Sequence, residues 1–244
     1  MPYPVAAVRG HVFNQAASAA FSPSDIASLE GWWDGSDATT LYTDAGSTLV
    51  SGDADAIYQW NDKSGSGKNM TQVTLGARPL YKVGIQNSLS AVFFDGSDDL
   101  IKLATQCDPR TGFIVARAIT GLPNDAALFA GIDNSTNRTG PLIRQATLSN
   151  LLTASENIWY TRVRANGVLT NNITFDSFVI YSGTATSASN LIRQFGNDRG
   201  IAGRNWKDYI CECVIFNTEL STAGQNSMGE YLADKWNISW TTIT

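Results

Sequence analysis

Catalysis needs bases, nucleophiles or metal ligands, and this 244-residue chain supplies few of them. The only imidazole is His11, in a stretch that reads as an arm outside the core, so a serine or cysteine inside the fold has no histidine to activate it. Cys107, Cys211 and Cys213 are an odd set with no disulfide framework, which fits synthesis in a reducing compartment. Cys211 and Cys213 stand two residues apart, so a regular strand places both on one face as small apolar side chains, and a metal there lacks partner ligands. Glu212 lies between them on a strand-like run, where an optimistic reading puts a general acid. A glycosidase needs a second carboxylate roughly 5 to 10 Å away, one of the pair having a raised pKa. The Asp-rich segments Asp34 to Asp37, Asp95 to Asp99 and Asp133-Asn134 offer hard oxygen ligands of the kind calcium takes, without EF-hand spacing. Asp, Asn and Ser also close turns by bonding their own backbone, the commoner role. Among the aromatics, Trp206 in the polar run Arg204-Asn205-Trp206-Lys207-Asp208 is the ring expected at the surface, a weak candidate for stacking on a sugar, against the alternative of plain packing.

Whatever positions these groups is rich in turns and strands. Hydrophobic residues make up 43% of the chain and charged residues only 16%, enough to fill one large β sandwich of a length that such folds reach as one domain. The formal net charge of -5 and a sequence pI near 4.8 argue against nucleic acid or an acidic membrane face as partner. No window approaches the roughly 18 apolar residues a membrane span needs, and Arg9 and His11 interrupt the start where a secretion signal is apolar. Export by that route is not expected.

Residues 1–21 read as an arm, with Val5, Val8, Val12 and Phe13 as its anchoring candidates, by strand addition or by burial on another protein. Ser22-Pro23-Ser24-Asp25 combines an N-cap, a proline at the first helical position and an acid three residues on, which predicts a short helical turn from Ser22 to Leu29. Strands are expected over Ser90 to Phe94, Phe113 to Ile119, Ala127 to Ile132, Trp159 to Ala165, Phe178 to Tyr181 and Tyr209 to Phe216. Asn166-Gly167 signals a two-residue hairpin, because both turn positions need positive φ. Ser221 is placed to cap a helix in which Met228, Tyr231, Leu232 and Trp236 recur on one face. No internal repeat or linker divides the chain, so residues 22–244 are expected to form one domain.

Four segments in order carry a family resemblance. They are Leu29-Glu30-Gly31-Trp32-Trp33-Asp34-Gly35-Ser36-Asp37, the turn Trp60-Asn61-Asp62-Lys63-Ser64-Gly65-Ser66-Gly67 followed by Arg78-Pro79, the run Phe93-Phe94-Asp95-Gly96-Ser97-Asp98-Asp99, and the close Ile210 to Asn217 with Glu230 to Trp236. Together they resemble the laminin G-like/concanavalin A-like domains of bacteriophage virion proteins and bacterial surface proteins. The resemblance implies an all-β, antiparallel jelly-roll sandwich with a short N-terminal helical turn and a C-terminal helix, and core roles for Trp32, Trp60 and Trp236. Hydrolases of that superfamily carry a Glu-x-Asp-x-x-Glu strand that this chain lacks, and a glutamate at the position of Glu212 occurs in non-catalytic members as well.

The function expected is that of a non-enzymatic virion protein, a capsid decoration, fibre or tail component. It would be made in the host cytoplasm, be held by its arm against other virion proteins and sister copies, and have no resident cofactor, with calcium left open. The alternative is a carbohydrate-binding module for cell-surface glycans, and behind it a glycoside hydrolase. Fold alone does not choose among these.

Overall fold

The computed structural model describes residues 20–123, 125–130, 162–170, 172–184 and 192–244. Among them, fourteen strands form two antiparallel sheets. The larger sheet contains β1 (Leu29–Asp34), β5 (Leu80–Gln86), β6 (Leu89–Asp95), β8 (Thr111–Arg117), β10 (Arg164–Ala165), β11 (Val168–Leu169), β12 (Phe178–Thr184) and β14 (Lys207–Phe216). Its order is β11-β10-β12-β8-β14-β6-β5, with β1 also paired to β14. The smaller sheet runs β2 (Leu41–Tyr42), β3 (Gln59–Trp60), β4 (Met70–Thr71), β7 (Ile101–Cys107), β13 (Ile192–Phe195) and β9 (Phe129–Ala130). The described residues therefore form an all-β sandwich with one α-helix among them, α1 (Thr222–Trp236), following β14.

Burial explains the strand patterns. On β7 of the smaller sheet Ile101 and Leu103 are buried while Lys102 and Ala104 are exposed, the alternation of a sheet with one wet face. Most of β8 and β14 is buried on both faces, because α1 covers part of the outer face of the larger sheet. One core lies between the sheets, where Phe195 meets Trp33 edge-on at 5.3 Å and Trp60 at 6.4 Å. A second core lies under the helix, where Phe113, Val115, Ile180 and Val214 meet Met228, Leu232 and Trp236. Burying these helix side chains stabilises the layer by roughly 1.5 to 3 kcal/mol apiece.

The local signals are largely realised. Ser221 Oγ accepts the Gly224 N–H, and α1 ends at Asn237 in the left-handed region at φ 51°. Asn166 and Gly167 take φ of 51° and 83° and join β10 to β11. A Cβ on Gly167 would stand 1.9 Å from the Thr241 carbonyl oxygen, so the close approach of the C-terminal tail also needs glycine there. The capping box at Ser22 forms, but its helix is a 3-10 turn of Pro23–Asp25, shorter than the expected run to Leu29, because Ile26 returns to extended backbone. Of the strands expected at Ala127 to Ile132 and Trp159 to Ala165, Phe129–Ala130 and Arg164–Ala165 appear; Ala127, Leu128, Arg162 and Val163 are outside the strands, and residues 131–161 lie outside the described residues. Residues 1–19 of the arm, with His11, Val5, Val8, Val12 and Phe13, lie outside them too, while Phe21 at its end packs edge-on against Tyr231 of α1 at 6.2 Å.

One expectation is overturned by a bulge. The pairing of β14 with β8 shifts register between Ile210 and Glu212. The extra residue resets the alternation, so Cys211 faces the core under the helix and Cys213 the core between the sheets, instead of sharing a face.

Candidate functional site

The same bulge determines where Glu212 goes. With Cys211 it is sent to the helix side of the sheet, at the point where β14 passes from β6 to β1 as its neighbour along one edge. There Glu212 pairs directly across from Asp34 of β1. Two carboxylates opposite one another repel, so the position holds only if cations or hydrogen-bond donors offset the charge.

Both are present. Lys235, from the last turn of α1, places Nζ 2.8 Å from Glu212 Oε2 and 2.7 Å from Asp34 Oδ2. Lys63 reaches Asp34 at 2.9 Å and Asp37 at 2.7 Å, with its ammonium 4.5 Å from the centre of the Trp32 ring. Glu212 further accepts the indole N–H of Trp32 at 2.7 Å, that of Trp236 at 2.8 Å and the phenol of Tyr231 at 3.0 Å. Lys63 is delivered by the turn after β3, where Asp62 accepts the Trp32, Ser64 and Lys68 backbone N–H groups at 2.9, 2.8 and 3.1 Å. The aspartate and serine of that turn serve to wrap it against β1.

Electrostatics separates the two acids. Burial opposes ionisation of Asp34, but Lys235 and Lys63 override it, and the carboxyl titrates below its ordinary value. At Glu212 burial, reinforced by Asp34, wins over Lys235 and pushes the carboxyl up. Because both grip one ammonium, the two carboxylates are at most about 5.5 Å apart, near the spacing of roughly 5 to 5.5 Å found in retaining glycosidases. Lys235 fills the gap between them, and Glu212 has 0% of its surface accessible. A hollow of about 400 Å³ lies outside, lined by Phe21, Glu230, Tyr231, Asp234 and Lys235, and Glu212 does not reach it.

The other sequence candidates fall elsewhere. Trp206, expected at the surface, is fully buried between the sheets, and a ring with no accessible face cannot stack on a sugar. Of the polar residues that suggested exposure, Asn205 and Asp208 are buried, while Lys207 is exposed. Asn197 Nδ2 donates to Asn205 Oδ1, Asn205 Nδ2 to the Asp99 carbonyl, Arg204 pairs with buried Asp198, and the Trp206 backbone N–H donates to Gly196 O. Asp95, Asp98 and Asp99 bring three carboxylates within 4.8 Å of one another. Asp95 Oδ1 accepts the Ser97 N–H and Asp99 Oδ2 the Asp95 N–H, so they also close their own turn. Burial, with Asp95 and Asp98 beside it, raises the Asp99 carboxyl to about 7. The turn at Asp34 to Asp37 is committed to Lys63 and Lys235, and Asp133-Asn134 lies outside the described residues. Trp60 and Trp236 are core residues, as the resemblance implies, while Trp32 is half-buried beside Glu212.

Comparison of the chain with protein-family models, with curated proteins and with solved structures gives no match.

Proposed function

We propose that the chain is a non-enzymatic structural protein of a bacteriophage particle, built on a laminin G-like, concanavalin A-like jelly roll and held to neighbouring virion proteins by residues 1–21. The observation that carries the non-enzymatic reading is the state of its best acid pair. Glu212 and Asp34 are occupied by Lys235, Lys63, two indoles and a phenol, and they fasten the C-terminal helix to β1 and β14. Such an arrangement stabilises a module. It leaves neither Glu212 nor Asp34 presented to a substrate.

The particle reading rests on the ordered motifs and on apolar side chains left exposed at the margins of the sandwich: Val83 on the edge strand β5, Val168 and Leu169 on β11, and Val73 and Leu75 after β4. Edge strands and exposed apolar residues suit contacts with adjacent protein subunits. No helix among the described residues is long and apolar enough to cross a membrane. The test is binding of the purified chain to particles or shells that lack it, with a variant missing residues 1–21 alongside. Saturable binding lost with the arm supports the reading; wild-type occupancy by the trimmed chain overturns the anchoring.

A further inference from the structure

The seam between α1 and the larger sheet holds a nucleophile against an acid. A primary amine and a carboxylic acid condense to an amide with loss of water when they are fixed together, shielded from solvent and served by a proton carrier. Lys235 and Glu212 meet these conditions. The Lys235 Nζ is 2.8 Å from Glu212 Oε2, and since a C–O bond is about 1.2 Å long, Nζ stands within about 4 Å of the Glu212 carboxyl carbon. A small turn of the lysine chain brings the pair to the roughly 3 to 3.5 Å from which attack starts. Glu212 is fully buried, and the Lys235 side chain is 19% exposed. Aromatic rings wall the amine, with the centres of Trp236 and Tyr231 at 5.3 and 5.9 Å from Nζ.

The two oxygens of Glu212 are bonded unequally. Oε1 accepts the Trp32 indole N–H at 2.7 Å and the Tyr231 phenol at 3.0 Å, two donors aimed where negative charge gathers when a nucleophile adds to the carbon. Burial, with Glu212 beside it, raises the Tyr231 phenol, so it remains a donor. Oε2 accepts the Trp236 N–H at 2.8 Å and faces the amine, the place of a leaving hydroxyl. The same Nζ is 2.7 Å from Asp34 Oδ2. Against its burial, Asp34 is kept ionised by Lys235 and Lys63, whereas burial and Asp34 favour the protonated form of Glu212. One carboxyl is thus suited to take a proton from the amine and the other to be attacked by it.

We infer that Lys235 condenses with Glu212, once per chain and without an outside catalyst, to an amide that ties α1 covalently to β14. Asp34 Oδ2 accepts a proton from the Lys235 ammonium, and the freed electron pair on Nζ forms a C–N bond to the Glu212 carboxyl carbon while charge moves to Oε1. The C–Oε2 bond then breaks. Of the three ammonium protons one remains in the amide, one departs with the Glu212 hydroxyl as water, and one stays on Asp34 until solvent removes it. The step balances without an oxidant or a second molecule, and the hollow lined by Tyr231 and Lys235 lies beside the amine to take the released water. The ion-paired seam is the precursor, whose stability the charges and hydrogen bonds set until the amide forms. The reaction is independent of the virion reading, since it needs only the folded chain.

The test is the intact mass of the full chain, denatured after incubation at neutral pH and then digested with trypsin. One water less than the sequence mass is expected, with cleavage after Lys235 blocked and the peptide from Asp208 to Thr244 carrying the loss. The product should resist hydroxylamine, which opens the succinimides that also form by loss of water. Lys235→Arg, which keeps the charge and has no primary amine, should hold its full mass. Asp34→Ala and Trp32→Phe, checked for parental circular dichroism, should each slow the conversion about a hundredfold. A parent chain that keeps its full mass and is cut after Lys235 overturns the inference, as does a loss of water that persists in Lys235→Arg. A cross-link mapped to Asp34, recovered as a branched peptide joining residues 10–63 to residues 208–244, overturns it too, because Asp34 is then the acid attacked.

Discussion

Removing the Glu212 carboxylate should loosen the helix from the sandwich. In Glu212→Ala, the Trp32 and Trp236 indole N–H groups and the Tyr231 hydroxyl lose their acceptor, while Lys235 keeps only Asp34. Breaking a buried ion pair from one side costs about 3 to 5 kcal/mol, and because Asp34 still neutralises Lys235 the lower end applies, about 3 kcal/mol. For a chain of this size that corresponds to a fall in Tm of roughly 6 to 12 °C. Glu212→Gln keeps an acceptor oxygen and should lose about half as much. Lys235→Met should behave differently with pH. It leaves Glu212 and Asp34 facing each other with only Lys63 nearby, so its deficit should be smallest where Glu212 is protonated and grow as pH rises. The sign follows from the raised Glu212 carboxyl: a group whose folded pKa is raised contributes stability below its unfolded value and loses it as pH climbs through the folded one. Urea unfolding at pH 7, followed by tryptophan emission, measures both the loss and the solvation of the two indoles. A Glu212→Ala chain within about 1 kcal/mol of the parent, with unshifted emission, would refute the fastening role.

Three further outcomes are expected. Asp99→Asn should flatten the pH dependence of stability: the Asp99 contribution is complete below the ordinary aspartate range and lost as pH rises through about 7, so the variant gains on the parent between about pH 4 and 7, by at most about 4 kcal/mol, and parallel Tm profiles would contradict this. Gly167→Ala should cost more than about 1 kcal/mol and free the C-terminal tail, because the new methyl group meets the Thr241 carbonyl at a positive φ; limited proteolysis that leaves the tail as resistant as in the parent would count against it. Cys107, Cys211 and Cys213 are buried, with thiols raised by burial, Cys107 to about 12, so a thiol reagent should label none of them in the native chain and all three in denaturant.

Much of the scaffold was legible from local rules. The Ser221 cap, the Asn166-Gly167 hairpin and the buried spacing of Met228, Leu232 and Trp236 depend on neighbours within a few residues, so sequence alone determines them. The Asp62-Lys63-Ser64 turn was also readable as a turn, although its purpose, delivering Lys63 to Asp34, was not. What tertiary structure decided was the facing of side chains. One extra residue at the β14 bulge separated Cys211 from Cys213 and turned Glu212 toward the helix, a choice made by pairing with β8 that leaves no trace in the local pattern. Trp206 was misread because polar neighbours imply solvent only when water is their sole partner; here Asn197, Asp198 and Asn205 find partners inside the protein. The Glu212 seam joins strands and a helix far apart in the chain, Trp32 to Glu212 across 180 positions. Sequence fixes which residues are available to pair, and only the register of the folded sheets decides which of them meet.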